Sequence, residues 1–302
     1  MSRDFVNDLH TLMPDLEIRK HEQMSKHTTF RIGGPAELYI TPEANQVADI
    51  VKQCRQTGLP FFVFGNGSNL LVSDKGISGV VIEIGKNSSG ITVEDTVITA
   101  QAGATLAAIA NEACAHGLTG LEFASGIPGC LGGALVMNAG AYGGEMKQVV
   151  TQVRCLNEQG EEIILSGEEL QFGYRRSIFT EKPYIALEAR MQLSRGESEE
   201  IRKKMVSLNE QRRLKQPLEF PSAGSTFKRP EGYFAGKLIM DAGLAGYTVG
   251  GAQVSEKHCG FVINRGNATA KDVCQLMEDV NRIVTEKFGV GLEPEVKLVG
   301  EF

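Results

Sequence analysis

The sequence lacks a long hydrophobic run, an excess of positive charge and a leader-like start. No apolar stretch among the 302 residues approaches the roughly 18 that cross a membrane. The formal net charge of −6 argues against a general surface for nucleic acids or anionic lipids, because both need clustered Lys and Arg. The first residues lack the basic-then-apolar order of a signal peptide. We therefore expect a cytoplasmic protein that binds neither nucleic acids nor membranes.

Cysteine is sparse and scattered along the chain. The six cysteines form no Cys-x-x-Cys pair, so their spacing matches neither the common zinc motifs nor a disulfide framework. Small apolar thiols in a reducing compartment are the better interpretation, and no metal site is predicted. The six residues are Cys54, Cys114, Cys130, Cys155, Cys259 and Cys274.

Two familiar nucleotide-binding templates are also missing. After the apolar run at 61–64 the chain reads Gly-Asn-Gly-Ser-Asn-Leu, and Leu70 stands where Gly-x-Gly-x-x-Gly needs its third glycine. Neither Gly-Lys pair has a glycine five residues before it, as a P-loop requires. These absences argue against a Rossmann-type or kinase-type site.

A glycine-rich segment from Ser125 to Gly144 is the feature around which the chain is organised. Seven of its 20 residues are glycine, which favours neither a helix nor a strand. Because glycine leaves backbone amides unshielded, such a segment can press its N–H groups against a phosphate or a flat ring. A second glycine loop, Gly65 to Asn69, follows a predicted strand. Tight turns are the alternative, but the density of glycine favours an anion-binding cradle.

Helical and strand patterns alternate through the first two thirds of the chain. Phe5, Val6, Leu9 and Leu12 are spaced as one face of a short helix over 2–13. Apolar spacing and terminal glycines predict helices at 47–58 and 104–116, and strands at 36–41, 61–64, 79–84, 91–101, 149–156, 161–165 and 184–193. A charged helical run at 197–215 follows, and then helices near 234–242 and 269–288 with strands at 260–264 and 295–299. The change in composition near residue 195 predicts a domain boundary.

Three polar residues occupy positions where apolar patterning gives them no structural purpose. Ser225 lies in a predicted glycine-flanked turn, Arg175 follows an aromatic residue, and Glu295 precedes an apolar strand. Each also has an ordinary interpretation: a turn residue or cap, a surface ion pair, and a charge at the end of a strand.

The motifs together resemble those of the UDP-N-acetylenolpyruvoylglucosamine reductases, the MurB family. Besides both glycine loops, the resemblance includes Thr-Thr-Phe-Arg-Ile-Gly-Gly at 28–34, Tyr-Arg-Arg-Ser-Ile-Phe at 174–179, Ala-Gly-Ser-Thr-Phe-Lys at 223–228 and Leu-Glu-Pro-Glu-Val at 292–296. Six separate motifs in one order cover almost the whole chain.

The resemblance implies an α+β fold: a vanillyl-alcohol-oxidase or PCMH-type FAD-binding domain of two α/β subdomains, and a C-terminal α+β substrate-binding domain. On this basis residues 1–29 are a helix and lead-in, 30–195 the FAD-binding domain with subdomains at about 30–82 and 83–195, and 196–302 the substrate domain. The expected FAD contacts are Arg31, Gly65, Asn66, Gly67, Ser68, Asn69, Ser125, Gly126, Ile127, Pro128, Gly129, Gly132, Gly133, Asn138, Ala139 and Gly140. Non-covalent binding is expected, although Cys130 lies within the second loop.

The resemblance also implies the reaction. The family reduces UDP-N-acetyl-3-O-(1-carboxyvinyl)-glucosamine to UDP-N-acetylmuramate for peptidoglycan synthesis, with NADPH as the hydride source and a hydride passing through FAD. Ser225 matches its proton donor, and Arg175 and Glu295 match residues that act on the substrate carboxylate. Tyr174, Lys228, Gln253, His258 and Asn264 are candidate substrate contacts, and we expect a monomer.

Two further points bear on the type of enzyme. Only a short segment separates Phe179 from the strand predicted at 184, so the tyrosine-loop insertion found in some members is absent and the shorter type is implied. Two alternatives stay open: another FAD-dependent oxidase or dehydrogenase of the same fold, and a non-catalytic protein that binds UDP-sugars.

Overall fold

A computed structural model describes the backbone of residues 2–302 and the side chains of residues 5–302. The chain forms two compact units. The first unit comprises the chain up to Arg19 with Leu38–Asn66 and Gly79–Arg212, and the second comprises Lys20–Glu37, Gly67–Ser78 and Arg213–Phe302. The units thus alternate along the chain, whereas the sequence was divided into consecutive segments at 1–29, 30–195 and 196–302. Those domain boundaries stay a prediction. Met1, the start of the predicted lead-in 1–29, lies outside the described residues.

The secondary structure is mixed throughout. The α-helices of the described residues are α1 (Ser2–Leu12), α2 (Val47–Thr57), α3 (Leu106–Ala115), α4 (Leu131–Met137), α5 (Ile178–Glu181), α6 (Ser198–Lys215), α7 (Ala235–Asp241) and α8 (Ala270–Phe288). The strands are β1 (Ile18–Gln23), β2 (Pro35–Ile40), β3 (Phe61–Phe64), β4 (Leu70–Val72), β5 (Ile77–Glu83), β6 (Ile91–Glu94), β7 (Val97–Gln101), β8 (Leu118–Thr119), β9 (Gly140–Ala141), β10 (Gly144–Glu145), β11 (Val150–Leu156), β12 (Glu162–Ser166), β13 (Ile185–Gln192), β14 (Ser194–Arg195), β15 (Ser222–Ser225), β16 (Thr248–Val249), β17 (Ala252–Val254), β18 (Phe261–Asn264) and β19 (Lys297–Val299). Among the described residues, no helix has both the length and the apolar character needed to cross a membrane.

The first unit is built on a five-stranded antiparallel sheet in the order β12-β11-β13-β7-β6. The predicted hairpin at 149–165 is confirmed, since β11 pairs with β12. Helices α3 and α4 contribute buried side chains such as Ile109 and Leu135 to the core that covers this sheet. A four-stranded sheet, β1-β2-β5-β3, includes the parallel pair β3 and β5.

Local signals in the sequence explain several helix and strand ends. Strand β3 begins and ends where the apolar run predicted. Helix α2 ends at Gly58, which adopts the left-handed conformation with φ 67° that glycine favours. Helix α8 begins after Thr269, whose side chain accepts a hydrogen bond from the Asp272 amide in a capping box. These predictions are confirmed because each depends on neighbouring residues alone.

The second unit contains an antiparallel sheet in the order β15-β18-β17-β16 and the parallel pair β4 and β19. Helix α8 packs its apolar face into this unit, with Val273, Leu276 and Val280 fully buried. The expected α+β character of the C-terminal region is thereby confirmed. The β16–β17 hairpin and β15 were not predicted, because each is a short pairing that only the tertiary structure completes.

Three predictions about local structure are wrong. Helix α4 lies inside the glycine-rich segment, where neither helix nor strand was favoured, because the burial of Leu131, Ala134 and Leu135 outweighs the cost of two helical glycines. Leu12 is 62% exposed, since α1 ends there and Met13 takes a buried position instead. Ser225 is the last residue of β15 rather than a turn residue.

Candidate active site

The two predicted glycine loops meet in the first unit. The side-chain amide of Asn66 donates to the main-chain carbonyl of Pro128 at 2.6 Å. A Cβ added at Gly65 would collide with the Cys130 sulfur, so glycine is required for the loops to approach this closely. Cys130 itself is buried, and its thiol packs on this glycine. Residues far apart in sequence therefore form one structure at the end of β3.

The main-chain amides of the second loop are largely engaged by the protein itself. The amide of Ile127 donates to the Ala124 carbonyl at 3.0 Å, and that of Gly129 donates to the Ile127 carbonyl at 2.9 Å. The amide of Gly132 donates to the Ala102 carbonyl at 2.8 Å. These three amides are therefore engaged within the protein, because an amide that closes a turn donates to a protein carbonyl. The predicted FAD contacts of the loop stay a prediction.

Neither close packing nor backbone conformation explains why residue 133 is a glycine. An added Cβ there would meet no protein atom within 4 Å, and the backbone does not need a positive φ. This exposed, uncovered stretch of main chain on α4 can accept a flat ring or a phosphate that a side chain would obstruct. The residues present at 65–66 and 125–133 thus fit a bound dinucleotide cofactor.

Two residues of α6 form hydrogen bonds to this loop, and the sequence analysis identified neither of them. Arg212 donates through Nη1 to the Gly126 carbonyl, and Asn209 donates to the Ser125 hydroxyl at 3.3 Å. In the sequence they belong to a charged helical run, which predicts a solvated face. Arg212 is nevertheless buried, with 9% of its surface exposed. No signal in the sequence distinguishes it from the other cations of α6.

Arg175 lies on a strained turn that is hydrogen-bonded to the end of the second glycine segment. Its φ is 54°, a left-handed conformation unusual for a non-glycine residue, and its guanidinium carbon lies 5.2 Å from the Tyr174 ring centroid. The turn is held from the end of α4, because Asn138 donates to the Gly173 carbonyl at 3.1 Å and Ser177 donates to the Val136 carbonyl at 2.8 Å. Helix α4 thus connects the glycine loop to the turn that carries the predicted arginine.

Asn138 was predicted to contact FAD, and the structure gives its side chain several bonds within the protein. It is 1% exposed, donates also to a Glu145 carboxylate oxygen at 3.0 Å, and accepts from the Lys147 amide at 2.8 Å. Its φ of 44° places it at the left-handed end of α4. The neighbouring Ala139 and Gly140 lead into the β9–β10 pair and are half-buried.

In the second unit, Ser225 and Glu295 lie on adjoining backbone segments. The Glu295 amide donates to the Thr226 carbonyl at 2.8 Å, and Phe227 forms an antiparallel bridge with Pro294. Glu295 is buried with 8% of its surface exposed. Ser225 is half-buried. The backbone segments that carry this serine and this glutamate, which are far apart in sequence, are thus paired in the fold.

The end of the first glycine loop belongs to the same unit. Asn69 donates through its side chain to the Glu295 carbonyl at 3.1 Å and accepts from the Lys297 amide at 2.9 Å. Gly67 has a φ of 58°, and an added Cβ would collide with the His27 carbonyl. The half-buried Ser68 lies between them, and the exposed Arg31 on the neighbouring turn has a φ of 55°.

The predicted substrate contacts differ in whether their side chains are bonded to other groups of the protein. Lys228 is paired with the Glu293 carboxylate, and Tyr174 is 56% exposed. Gln253 donates to the Gly246 carbonyl at 3.3 Å across the β16–β17 hairpin. Asn264 is buried and donates to the Phe30 carbonyl at 3.1 Å. All remain predictions as substrate contacts, although Asn264 clearly also has a structural role.

His258 is a half-buried histidine with a defined tautomeric preference. Its Nδ1 accepts from the Gly260 amide at 3.1 Å, and its ring lies 5.0 Å from the Phe261 ring in an edge-on arrangement. Burial lowers the pKa of this imidazole, so the neutral form is favoured. The structure thus shows a neutral ring that packs on an aromatic side chain, and the predicted substrate contact of His258 stays a prediction.

Comparison with known proteins first defines the class. Residues 36–166 match the profile of the FAD binding domain, and an alkyldihydroxyacetonephosphate synthase structure superposes on 64% of this chain, and 40% of its own, with a TM-score of 0.50 at 16% identity. That likeness concerns the fold alone. The first unit therefore carries the FAD-binding fold that the predicted fold class named, and this prediction is confirmed.

The family follows from closer relatives. Residues 216–299 match the C-terminal domain of UDP-N-acetylenolpyruvoylglucosamine reductase. The enzyme of that name from Caldanaerobacter subterraneus subsp. tengcongensis is 54% identical over 302 residues, covering 100% of both chains. The crystal structure of the reductase (MurB) from Thermus caldophilus covers 94% of this chain and 99% of its own, with a TM-score of 0.78 and 36% identity. The chain belongs to the UDP-N-acetylenolpyruvoylglucosamine reductase family.

This membership decides between the classes that the sequence left open. The predicted family and the prediction of an FAD-dependent oxidoreductase are confirmed, and neither an unrelated oxidase nor a non-catalytic binding protein is supported. The structure also places β13 only three residues after α5, so no inserted loop follows the tyrosine-arginine motif. The roles of individual residues are a separate question.

Proposed function

We propose that this protein reduces the enolpyruvyl group of UDP-N-acetyl-3-O-(1-carboxyvinyl)-glucosamine to a lactyl group, with NADPH as the reductant, to give UDP-N-acetylmuramate. The observation that carries the proposal is the pairing of the two backbone segments that carry a half-buried serine, Ser225, and a buried glutamate, Glu295. Such a pair suits a reaction in which a proton must be delivered to carbon beside a carboxylate.

FAD would be held by the first unit at 65–66 and 125–133, without a covalent bond. When bound, it supplies the two-electron chemistry that passes a hydride equivalent from NADPH to the substrate. The buried thiol of Cys130 packs on Gly65, which supports a structural role for this cysteine rather than a covalent tether.

Arg175 and Glu295 would stabilise the negative charge that develops on the substrate. When the terminal vinyl carbon gains a hydride, the electron pair of the double bond moves toward the adjacent carbon and its carboxylate. Fixed donors stabilise such an enolate-like state strongly where water is scarce. Arg175 would bind the carboxylate through its two-pronged guanidinium. Glu295, which is buried, would assist as a hydrogen-bond donor in its protonated form.

Ser225 would complete the reaction by donating its hydroxyl proton to the carbon next to the carboxylate. The new C–H bonds, one from hydride and one from this proton, replace the carbon–carbon π bond. The serine oxygen then regains a proton from solvent. An aliphatic hydroxyl is a weak acid, so its effect depends on its placement next to the carbon that receives the proton, and Ser225 is half-buried.

The decisive experiment separates the two half-reactions of the Ser225→Ala variant. NADPH should still bleach the flavin absorbance at close to the wild-type rate. Reoxidation by the enolpyruvyl nucleotide should slow by about a hundredfold or more, because general acid catalysis typically contributes 10²–10⁴-fold. Stopped-flow absorbance in the flavin bands measures both steps.

Ser222→Ala is the matched control, since Ser222 lies on the same strand and its main-chain carbonyl, which the substitution keeps, accepts from the Thr29 hydroxyl at 2.7 Å. Both half-reactions should keep their wild-type rates in this variant. Wild-type reoxidation in Ser225→Ala would exclude the proposed proton donor, and a protein that NADPH does not reduce would exclude the reductase.

The same proposal places the enzyme in the cytoplasm as a monomer. Both substrates are phosphorylated nucleotides that cells keep in the cytoplasm, which supports the location. Sedimentation velocity of the flavin-loaded protein tests the monomer, and a concentration-dependent larger species would contradict it.

A further inference from the structure

Thr226 is a buried threonine that directly follows Ser225 in the chain. Only 4% of its surface is exposed, and three of its polar groups are bonded within the second unit. Its amide donates to the Gly260 carbonyl at 2.8 Å, its carbonyl accepts from the Glu295 amide at 2.8 Å, and its hydroxyl accepts from the Val262 amide at 2.9 Å. One residue thus joins the end of β15 to β18 and to the segment that carries the predicted glutamate.

The hydroxyl bond of Thr226 lies where the pairing of β15 with β18 is irregular. Ser222 and Ser225 are three positions apart on β15, whereas their partners on β18 are two positions apart. Such a bulge interrupts the regular ladder of main-chain hydrogen bonds. Val262 lies between those two partners, and its buried amide has the Thr226 side chain as its acceptor. The register of β15 at its Ser225 end therefore depends on a side-chain bond.

The backbone of Ser225 is held mainly from the side of Thr226. Adjoining residues share a planar peptide group, so bonds that fix Thr226 also fix the backbone from which the serine side chain projects. On the other side is Gly224, which has a φ of 75° and no side chain to anchor the strand. We propose that Thr226 is a positioning residue for proton delivery, because its hydroxyl holds the end of β15 against β18 and so sets the position of Ser225. This inference rests on the part of the proposed function that makes Ser225 the proton donor.

Loss of the Thr226 hydroxyl should act on catalysis through geometry. Thr226→Val keeps the shape of the side chain but removes the acceptor of the buried Val262 amide. A buried amide without a partner is costly, so the end of β15 should shift until water or a main-chain carbonyl replaces the hydroxyl. A shift of about 1 Å at a reacting group can cost about a hundredfold in rate. The proton-delivery step should therefore be more sensitive to this substitution than any step that does not use Ser225.

The test compares Thr226→Val and Thr226→Ser by stopped-flow absorbance of the flavin-loaded full chain. In Thr226→Val, NADPH should reduce the flavin at close to the wild-type rate, and reoxidation by the enolpyruvyl nucleotide should slow by about ten- to hundredfold. The solvent deuterium isotope effect on reoxidation should rise, because proton delivery then limits the step. Thr226→Ser keeps the hydroxyl and should reoxidise at close to the wild-type rate. Reoxidation slowed by about tenfold or more in Thr226→Ser would overturn the proposal, even if the valine variant did not fold.

Thr269→Val is the matched control, because it removes the same kind of bond elsewhere in the second unit. The Thr269 hydroxyl accepts from the Asp272 amide at 3.1 Å at the start of α8. Loss of this cap should lower the thermal unfolding midpoint, as Thr226→Val does, while both half-reactions keep their wild-type rates. Equal slowing of the two half-reactions in Thr226→Val would overturn the proposal, and so would slow reoxidation in Thr269→Val. Reduced stability alone would then explain the loss.

Ser225→Ala distinguishes failure of this inference from failure of the proposed function. When Thr226→Val is added to Ser225→Ala, reoxidation should slow little further, because the group that Thr226 positions is already absent. A further loss as large as that of Thr226→Val alone would show that Thr226 acts independently of Ser225, and would overturn the inference. Slow reoxidation in Ser225→Ala with a wild-type rate in Thr226→Val would reject the inference and keep the proton donor. Wild-type reoxidation in Ser225→Ala would reject the proton donor itself.

Discussion

The Asn138 side chain donates to the main-chain carbonyl of Gly173 over 3.1 Å and so ties the end of α4 to the turn that carries Arg175. The same side chain bonds to Glu145 and to the Lys147 amide. A residue predicted from the sequence to touch FAD therefore also orients the predicted carboxylate-binding arginine. Asn138 thus lies at the end of α4, inside the glycine-rich segment, and also holds the turn that carries Arg175.

Asn138→Ala should weaken both stability and catalysis. It removes three hydrogen bonds of a side chain that is 1% exposed, which we expect to cost about 2 kcal/mol or more of unfolding free energy. Displacement of Arg175 should lower kcat/KM about tenfold or more. Urea unfolding and steady-state kinetics measure the two effects.

Asn138→Gly is the informative comparison, because glycine accepts the φ of 44° but offers no side-chain bonds. It should lose kcat/KM as the alanine variant does while losing less stability. Wild-type kinetics in both variants would show that Asn138 does not position Arg175.

Gly65→Ala should destabilise the protein through a single steric conflict. The new Cβ would collide with the Cys130 sulfur, and overpacking of this kind typically costs 1–3 kcal/mol. In a Cys130→Ala background the nearest remaining atoms, the residue 130 Cβ and the Ile84 carbonyl, lie 3.6 Å away, an ordinary contact distance. The cost of Gly65→Ala should then fall by about 1 kcal/mol or more. The unfolding free energies of the wild type, the two single variants and the double variant are measured by urea unfolding. If the losses of the two single variants simply add in the double variant, the coupling is contradicted.

Stability should decline with acidification because of His258. Burial lowers the pKa of its imidazole below the ordinary value of 6.5, so the unfolded chain binds the proton more readily than the folded one. This contribution is complete above pH 6.5 and is lost as the pH falls from 6.5 toward the lowered pKa. Protonation of Nδ1 would also break the bond from the Gly260 amide. Unfolding free energies at pH 8.0 and 5.5 should differ less in His258→Gln than in the wild type.

The exposed His10 offers a control for that experiment. His10→Gln should leave the difference between the two pH values unchanged. An equal pH dependence in wild type and His258→Gln would show that another group is responsible.

Buried thiols should be inert in the native protein. Burial raises the pKa of Cys54 to about 12 and that of Cys155 to about 11, so neither carries a significant thiolate fraction at pH 8. Both lie in apolar cores of the first unit. Iodoacetamide should therefore alkylate them only after denaturation, as peptide mass spectrometry would show. Rapid alkylation of either residue in the folded protein would contradict the assigned burial.

Features set by neighbouring residues could be predicted from the sequence. Strand β3 could be predicted from its apolar run alone. Helix α2 could be predicted from the spacing of its apolar residues and the glycine at its end, and α8 from its capping threonine and its apolar face. The family, the FAD fold and both glycine loops followed from motifs that are continuous in the chain. Local backbone preference and local periodicity are sufficient for such features.

Tertiary structure decided what depends on contacts between distant positions. Helix α4 forms in a glycine-rich segment because its apolar residues are buried by a core assembled from elsewhere. Only folding brings the Glu295 amide to the Thr226 carbonyl and buries Arg212 beneath Gly126. The sequence by itself determined which chemical groups the protein has and which short segments are helical or extended. Their pairing, burial and charge environment arise from long-range packing, whose free energy no local pattern encodes.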